Sequence, residues 1–421
     1  MPGKFLYNLF LLAYSTGIRV VSAWNPKAKK WLDGRENIFT LINSKLPKTE
    51  TKRIWMHCAS LGEFEQGRPL LEELKIKNPE LKIVLTFFSP SGYEVMKDYK
   101  GADYVLYLPM DSPFNAGKFL DAVNPSLVLW VKYEYWFYYL EELRKRKIPV
   151  ILVSGIFRYN QPFFKWYGAI WRQMLKSFNH FFVQNDESKE LLEQLGFTNN
   201  VTTSGDTRFD RVKAIAEDFE PLPLIDVFCG NSQVIVAGST WEEDEIELLH
   251  FVKANPAVKF IIAPHEIDEE NLKDVKQEFT NSIFYSELLQ TTNYKSEAAN
   301  ILIIDNIGML SRLYKYATIA YVGGGFGEDG VHNVLEAAVY GKPVIFGPVY
   351  EKYIEAAALV KEEGGISVDG PITLDSTLNR LLKDEVERTS RGAAAKRYVY
   401  SNAGATAKIT GLIQEKRLLT S

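Results

Sequence analysis

Apolar positions along this chain recur with two periods, and the alternation between them predicts its architecture. From residue 53 onward, short runs of apolar residues are followed by stretches whose apolar residues fall three and four apart. The short runs read as buried strands and the longer stretches as amphipathic helices. In the first half, residues 54–58, 82–87, 104–108, 127–131, 150–154, 180–184 and 201–203 are predicted strands. Leu70, Leu71 and Leu74 mark one face of the helix behind the first of them, a second helix starts near Tyr93, and a third ends in the basic run 144–147. Residues 157–178, dense in aromatics, are predicted to be a helical segment, either core or lipid-facing. Residues 213–232 lose the periodicity and carry Pro221 and Pro223, so they are predicted to be a linker. The alternation then restarts, with strands at 234–237, 259–263, 283–285, 301–304, 319–322 and 344–346 and a short helix over 308–316. Two such series predict two doubly wound α/β domains with parallel sheets, and a ligand at the carboxyl ends of the strands in a cleft between them.

The amino terminus departs from this rhythm. Residues 5–24 are mostly apolar, interrupted by Asn8 and Arg19, and Lys27, Lys29, Lys30 and Arg35 follow with Trp24 and Trp31 among them. The length suffices to span a bilayer, but the internal arginine disfavours spanning. No small-residue cleavage site stands out. An apolar helix flanked by basic and aromatic residues predicts an interfacial anchor on an anionic cytoplasmic leaflet; a helix buried against the protein itself is the alternative.

Composition narrows the classes. A length of 421 residues suits two domains, and 46% hydrophobic with 24% charged residues describes a folded soluble body. A net charge of −4 gives no basis for nucleic-acid binding. Cys58 and Cys229 are the only cysteines, which excludes a disulfide framework and a cysteine metal cluster. No His/Asp cluster has metal-ligand spacing, so neither a catalytic metal nor another cofactor is expected.

The stretch 319–348 carries the densest candidate chemistry: a strand, then Gly323, Gly324, Gly325, Gly327 and Gly330, then a helix from near Asn333 to Gly341, then a strand. Such a loop lets the backbone turn and approach a phosphate or a ribose closely. The spacing from Gly325 to Gly330 fits a dinucleotide fingerprint, with Glu351 near the position of a ribose-binding acid. Its late place in the chain and the charges of Glu328 and Asp329 speak against that reading. Asn333 and Glu336 also have the spacing of a capping box.

Four pieces in order resemble a known family: Ser60-Leu-Gly-Glu63, Gly238-Ser-Thr240 with Glu242, Ala263-Pro-His265, and Gly323-Gly with Gly330-Val-His-Asn-Val-Leu-Glu336. Together they resemble the 3-deoxy-D-manno-octulosonic acid (Kdo) transferases of lipid A assembly, over nearly the whole chain. The resemblance implies the GT-B fold, two Rossmann-like domains facing across a cleft. It divides the chain into an anchor over 1–35, an acceptor-binding domain over 36–212, the linker 213–232 and a CMP-sugar-binding domain over 233–392. A final helix over 393–421 would cross back to the first domain. It also implies an inverting transfer of Kdo from CMP-Kdo to the lipid A precursor (lipid IVA), at the cytoplasmic face of the inner membrane.

Carried over by position, Glu63 would be the catalytic base, with Glu134 and Arg208 stabilising the transition state. Pro264 and His265, then Ile307, Gly308 and Met309, then Asn333, Val334, Leu335 and Glu336 would bind CMP. Ser239, Thr240 and Glu242 would belong to the donor loop. The chain departs from the family pattern at Arg208, where lysine is frequent, at Lys132, where glutamate is familiar, and at Trp241, where histidine is common. One carboxylate base suffices when attack and departure occur on opposite faces, and a helix start favours its ionised form. Each residue also has a plainer role: Glu63 as a first-turn glutamate, Glu134 as a surface carboxylate, Arg208 in a salt bridge to Asp206 or Asp210, His265 as a loop histidine. His57, His180 and His250 read as structural. The competing functions are a GT-B transferase using a UDP-sugar and a non-catalytic membrane-bound scaffold with a nucleotide site.

Overall fold

In the computed structural model, which describes residues 2–47, 53–290 and 299–419, fourteen strands form two parallel sheets of seven. Met1, residues 48–52 of the expected acceptor-binding domain and residues 420–421 of the expected final helix lie outside the described residues. The first sheet contains β1 (Arg53–Cys58), β2 (Lys82–Phe87), β3 (Tyr104–Tyr107), β4 (Pro125–Val131), β5 (Val150–Gly155), β6 (His180–Val183) and β7 (Val201–Thr203). Their spatial order is β3-β2-β1-β4-β5-β6-β7. The second contains β8 (Val234–Thr240), β9 (Lys259–Pro264), β10 (Ser282–Phe284), β11 (Ile301–Ile303), β12 (Ile319–Val322), β13 (Val344–Phe346) and β14 (Gly365–Ser367), in the order β10-β11-β9-β8-β12-β13-β14.

Helices cover both faces of each sheet, which is why the strands read as continuous apolar runs rather than as alternation. Side chains still alternate in space. Trp55, Trp130 and Leu152 enter the core on one face of the first sheet, while Ile54, Met56, Leu129 and Val153 enter the core on the other. The second of these cores also takes Ile409 and Ile413 from the helix Ala405–Glu415. Asp210 ties the start of that helix down, accepting from the Thr406 amide at 2.7 Å and the Thr406 hydroxyl at 2.8 Å. One compact unit accordingly runs to Asp210 and resumes at Gly404, and the other is Arg211–Ala403.

Three expected elements differ in the structure. Residues 213–232 are not an irregular linker: helices Thr207–Glu217 and Pro223–Cys229 occupy most of them. Pro223 stands at the helix start, where its fixed φ and missing N–H cost nothing, and Ile225 and Phe228 are fully buried. Residues 157–178 are not one helix but a turn of 3-10 helix at Pro162–Phe164 and a helix Ala169–Leu175. The final helix is two, Glu385–Asn402 and Ala405–Glu415, broken at Gly404, whose φ of +116° no helix accommodates. The strand β14 had no signal, since three residues beginning with glycine carry no period.

The N-terminal helix, Pro2–Val21, has one face against the protein and one exposed. One face docks: the Tyr7 hydroxyl donates to Asp111 at 2.6 Å and accepts from the Phe137 amide, Asn8 accepts from the Tyr138 hydroxyl at 2.6 Å, and Leu11 is buried. The opposite face leaves Phe5, Leu6, Leu9, Phe10 and Leu12 more than half exposed. Among the described residues no single helix is long and apolar enough to cross a membrane; Gly3–Val21 and Pro26–Asp33 reach that length only as a pair, bent by 119°.

Candidate active site

In a doubly wound sheet, the crevice for a ligand opens where the strand order reverses, because the chain leaves the two neighbouring strands toward opposite faces. In the first unit that place lies between β1 and β4. Glu63 follows β1 in the first turn of the helix Leu61–Lys77, and Glu134 follows β4. The chain turns sharply after β4 because Lys132 adopts a left-handed φ of +59°, unusual outside glycine. That turn aims the Tyr133 amide at Glu63, to whose Oε1 it donates at 3.4 Å, while the Ala59 amide donates to Oε2.

Glu63 is buried, and burial raises its carboxyl pKa to about 7; the nearby charge of Glu134 adds to this, and the amides of Ala59 and Tyr133 oppose it. Gly62 is not the site of a tight turn. It has helical backbone, and a Cβ built there would meet no atom within 4 Å, so the space beside it stays open.

Glu134 is better connected than a surface carboxylate. Its Oε2 accepts from the Trp136 indole at 3.0 Å and lies 3.8 Å from Nε2 of His57. His57 is fully buried, shares its Nδ1 with the Thr86 hydroxyl at 2.9 Å, and packs against Trp130 with ring centroids 4.7 Å apart. Its Nε2 makes no hydrogen bond to a described residue. Sequence reasoning set His57 aside as structural, because a period-2 reading of β1 shows only that it shares a face with Trp55.

Arg208 forms the salt bridge to Asp206, with Nε and Nη2 donating to Oδ2 at 3.0 and 2.8 Å, while Asp210 serves the helix start at Thr406. Burial alone would raise the Asp206 carboxyl, but the Arg208 guanidinium outweighs it and holds the pKa below the ordinary range. Burial raises the Tyr133 hydroxyl, while the charges of Arg158 and Arg208 draw it down, so Tyr133 links the arginines to Glu63. Glu63, Glu134 and Arg208 therefore belong to one neighbourhood, with Tyr133 and His57 as members that sequence reasoning did not select.

In the second unit the strand order reverses between β8 and β12. Asp244 joins the loops after these strands: its Oδ2 accepts from the Trp241 and Gly324 amides at 3.0 and 2.7 Å, and its Oδ1 from the Tyr321 hydroxyl at 2.7 Å. The His265 amide donates to the Thr240 carbonyl at 2.8 Å, bringing the loop after β9 alongside. The His265 ring stacks 4.5 Å from Trp241 and 4.4 Å from His332, and the Trp241 indole donates to Nε2 of His332 at 2.8 Å. Burial lowers the pKa of both histidines, that of His332 to about 4, so both rings are neutral at pH 7.

The other predicted residues sort by what they can offer. Thr240 is buried and its hydroxyl is spent on Glu245 at 2.7 Å; Glu242 is exposed in the first turn of the helix Glu242–Ala254, and Ser239 turns with φ +53°. Pro264 ends β9. Ile307 and Gly308 are exposed, whereas Met309, Val334 and Leu335 are buried and can present only backbone. Asn333 donates to Glu336 at 3.1 Å and accepts from the Leu335 amide at 3.2 Å, but the N-cap residue is Val334, so the expected capping box is not formed. The helix beyond it is only Leu335–Ala338, shorter than expected. The glycines, too, have local work. A Cβ at Gly325 would strike the backbone of Gly347, one at Gly347 would strike Gly325 and Phe326, and Gly324 has φ +87°. Packing of the loop after β12 against the loop after β13 thus accounts for Gly325 and Gly330 of the fingerprint but not for Gly327, and Glu351 is exposed.

Comparison with known proteins agrees with this arrangement. The family model described as 3-deoxy-D-manno-octulosonic-acid transferase (kdotransferase) matches residues 35–211, all seven strands of the first sheet. The 3-deoxy-D-manno-octulosonic acid transferase of Aquifex aeolicus is 28% identical over 83% of this chain and 92% of its own length. The chain is similar to Kdo transferases over most of its length. The bifunctional glycosyltransferase/methyltransferase of Fusobacterium nucleatum is 30% identical over 80% of this chain, which spans 54% of that protein. The fold has a solved likeness in the UDP-GlcNAc 2-epimerase of Neisseria meningitidis bound to UDP-GlcNAc, with a TM-score of 0.59 and 18% identity over 86% of this chain and 100% of that one. The two doubly wound sheets are those of the GT-B fold. Glu63, Glu134 and Arg208 fall inside the matched segment, and the predicted nucleotide residues lie beyond it.

The two glycine environments make opposite predictions. Gly62→Ala adds a methyl to open space in a helix and is expected to hold or raise stability by up to about 1 kcal/mol. Gly347→Ala forces two backbones apart and is expected to lower stability by about 1–3 kcal/mol. Urea midpoints measured side by side check both, and equal effects at the two positions would refute the packing account.

Proposed function

We propose that the chain is an inverting glycosyltransferase that moves Kdo from CMP-Kdo to the lipid A precursor, lipid IVA, with Glu63 as general base. The observation that carries this reading is a buried carboxylate with its pKa near 7, at the strand reversal of a chain similar to Kdo transferases. A base tuned close to neutral pH both accepts a proton and is ionised often enough to act. In the proposed step the acceptor hydroxyl oxygen bonds to the anomeric carbon, its proton passes to Glu63, and the bond to the CMP phosphate oxygen breaks with its electron pair. Glu134 stabilises positive charge developing on the sugar. Arg208 neutralises the leaving phosphate with its permanently charged guanidinium. Recognition of CMP is assigned to the second unit: Pro264 and His265, the backbone of residues 307–309 and 333–335, and the carboxylate of Glu336 toward ribose hydroxyls, with Ser239, Thr240 and Glu242 shaping the donor loop. The exposed face of the N-terminal helix is proposed to rest on the cytoplasmic surface of the inner membrane, with Lys27, Lys29 and Lys30 toward anionic headgroups.

Four outcomes are expected. Glu63→Gln keeps the shape and removes the proton acceptor, so turnover falls by about 10²–10⁴-fold while CMP affinity holds. Because the active form is the ionised carboxylate and its pKa is raised, wild-type kcat/KM climbs as pH rises through about 7 and is lost below it. Transfer by Glu63→Gln within threefold of wild type would move the base role to Glu134. Glu336→Gln removes charge-assisted bonds worth roughly 1.5–3 kcal/mol each and weakens CMP in calorimetric titration. If it lowers only the melting midpoint, Glu336 is structural, and if UDP binds wild type more tightly than CMP, the donor is a UDP-sugar. Replacing Phe5, Leu9 and Leu12 together with glutamine is expected to release the folded protein from anionic vesicles in a flotation assay; continued flotation would assign attachment to another surface.

A further inference from the structure

The first unit holds a cavity of about 660 Å³ that the proposed reaction leaves unused. Its walls come from three places: the N-terminal helix through Leu6 and Phe10, the turn after β4 through Trp136, and residues 166–174 through Trp166, Tyr167 and Ile170. Glu134 is the charged member of the described lining, and it stands where the cavity meets the candidate site. Two of the other polar groups are spent, the Tyr7 hydroxyl on Asp111 and the Trp136 indole on Glu134. The mouth is apolar as well. Leu6 is 62% exposed, Phe10 54% and Trp166 93%, and they continue the exposed row of Phe5, Leu9 and Leu12. An apolar surface this extensive marks an interaction site.

We propose that this cavity takes one acyl chain of the glycolipid acceptor. The inference rests on the transferase reading and adds to it the part of the acceptor that is gripped. The walls admit hydrocarbon, and the continuity of the mouth with the exposed helix face lets a chain enter from a lipid surface without crossing water. The carboxylate at the other end fixes the direction. A chain seated here brings the sugar that bears it to Glu134 and, across the β1–β4 reversal, to Glu63. A phosphatidylcholine or phosphatidylethanolamine chain fits the walls equally but carries no hydroxyl to that carboxylate, so between these and the acceptor the geometry selects the acceptor.

The test compares a tetra-acylated glucosamine disaccharide acceptor with the same disaccharide stripped of its chains. Ile170→Trp fills the cavity, and Leu6→Glu places a charge at its exposed mouth, where folding is not at stake. Both are expected to lower the ratio of kcat/KM for the acylated over the stripped acceptor by about tenfold, through KM. A ratio equal to wild type in Leu6→Glu overturns the proposal. Binding is read separately, by quenching of tryptophan fluorescence with acceptor carrying brominated chains. Quenching in wild type that both variants lose supports the slot even if no Kdo is transferred, in which case the transferase reading fails alone. No quenching in wild type, or equal quenching by a brominated short-chain phosphatidylcholine, overturns it.

Discussion

Each half of this protein depends on one constraint of parallel sheets. A crossover between parallel strands is right-handed, so strands laid down in the two directions from a starting point send their helices to opposite faces. In the first unit the starting pair is β1 and β4, and in the second it is β8 and β12. At those two places the sheet's carboxyl edge is left uncovered, and residues far apart in sequence emerge side by side. Glu63 and Glu134 meet for this reason, and so do the loops bearing Trp241 and Gly324. The pairing of His57 with Trp130 in the β1–β4 register is the same constraint seen one residue inside the edge.

The chemistry available at the first edge comes from desolvation set against a small number of hydrogen bonds. Two amides and the charge of Lys132 favour the ionised Glu63, and burial with the neighbouring Glu134 outweighs them. The fold therefore carries a cost. A carboxylate that holds its proton more tightly folded than unfolded withdraws stability as pH rises from the ordinary carboxylate range toward about 7. Asp206 is the contrast a short distance away: equally buried, it is kept ionised by the guanidinium it grips. One neighbourhood thus contains a carboxylate suited to taking up a proton and another suited only to holding a cation in place.

The positions where this chain departs from the family pattern have a physical role. Lys132 supplies the left-handed turn that aims the Tyr133 amide, and its charge favours the ionised Glu63. Trp241 is flat enough to stack on His265 and has an N–H to give His332, which fixes one tautomer of a neutral ring. Arg208 grips Asp206 with two donors of its fork, which a lysine ammonium does not match in geometry.

The amino-acid sequence by itself determined the two series of strands and helices, because periods of two and of three to four residues report directly which face of an element is buried. It also marked Glu63 and the loop after β12, since a carboxylate or a run of glycines just past a strand is a local feature. It misread residues 213–232 and 393–419, where proline starts a helix and Gly404 breaks one, because a proline or glycine punctuates the chain without saying whether a helix ends or begins. Only the tertiary structure decided which strands are neighbours, and with that the partners of Glu134, the contact of His57 with it, the Asp244 tie between two loops, and the cavity under the N-terminal helix. Each of these joins residues from separate strands or helices, and their burial and charge environment arise only when long-range pairing excludes water from between them.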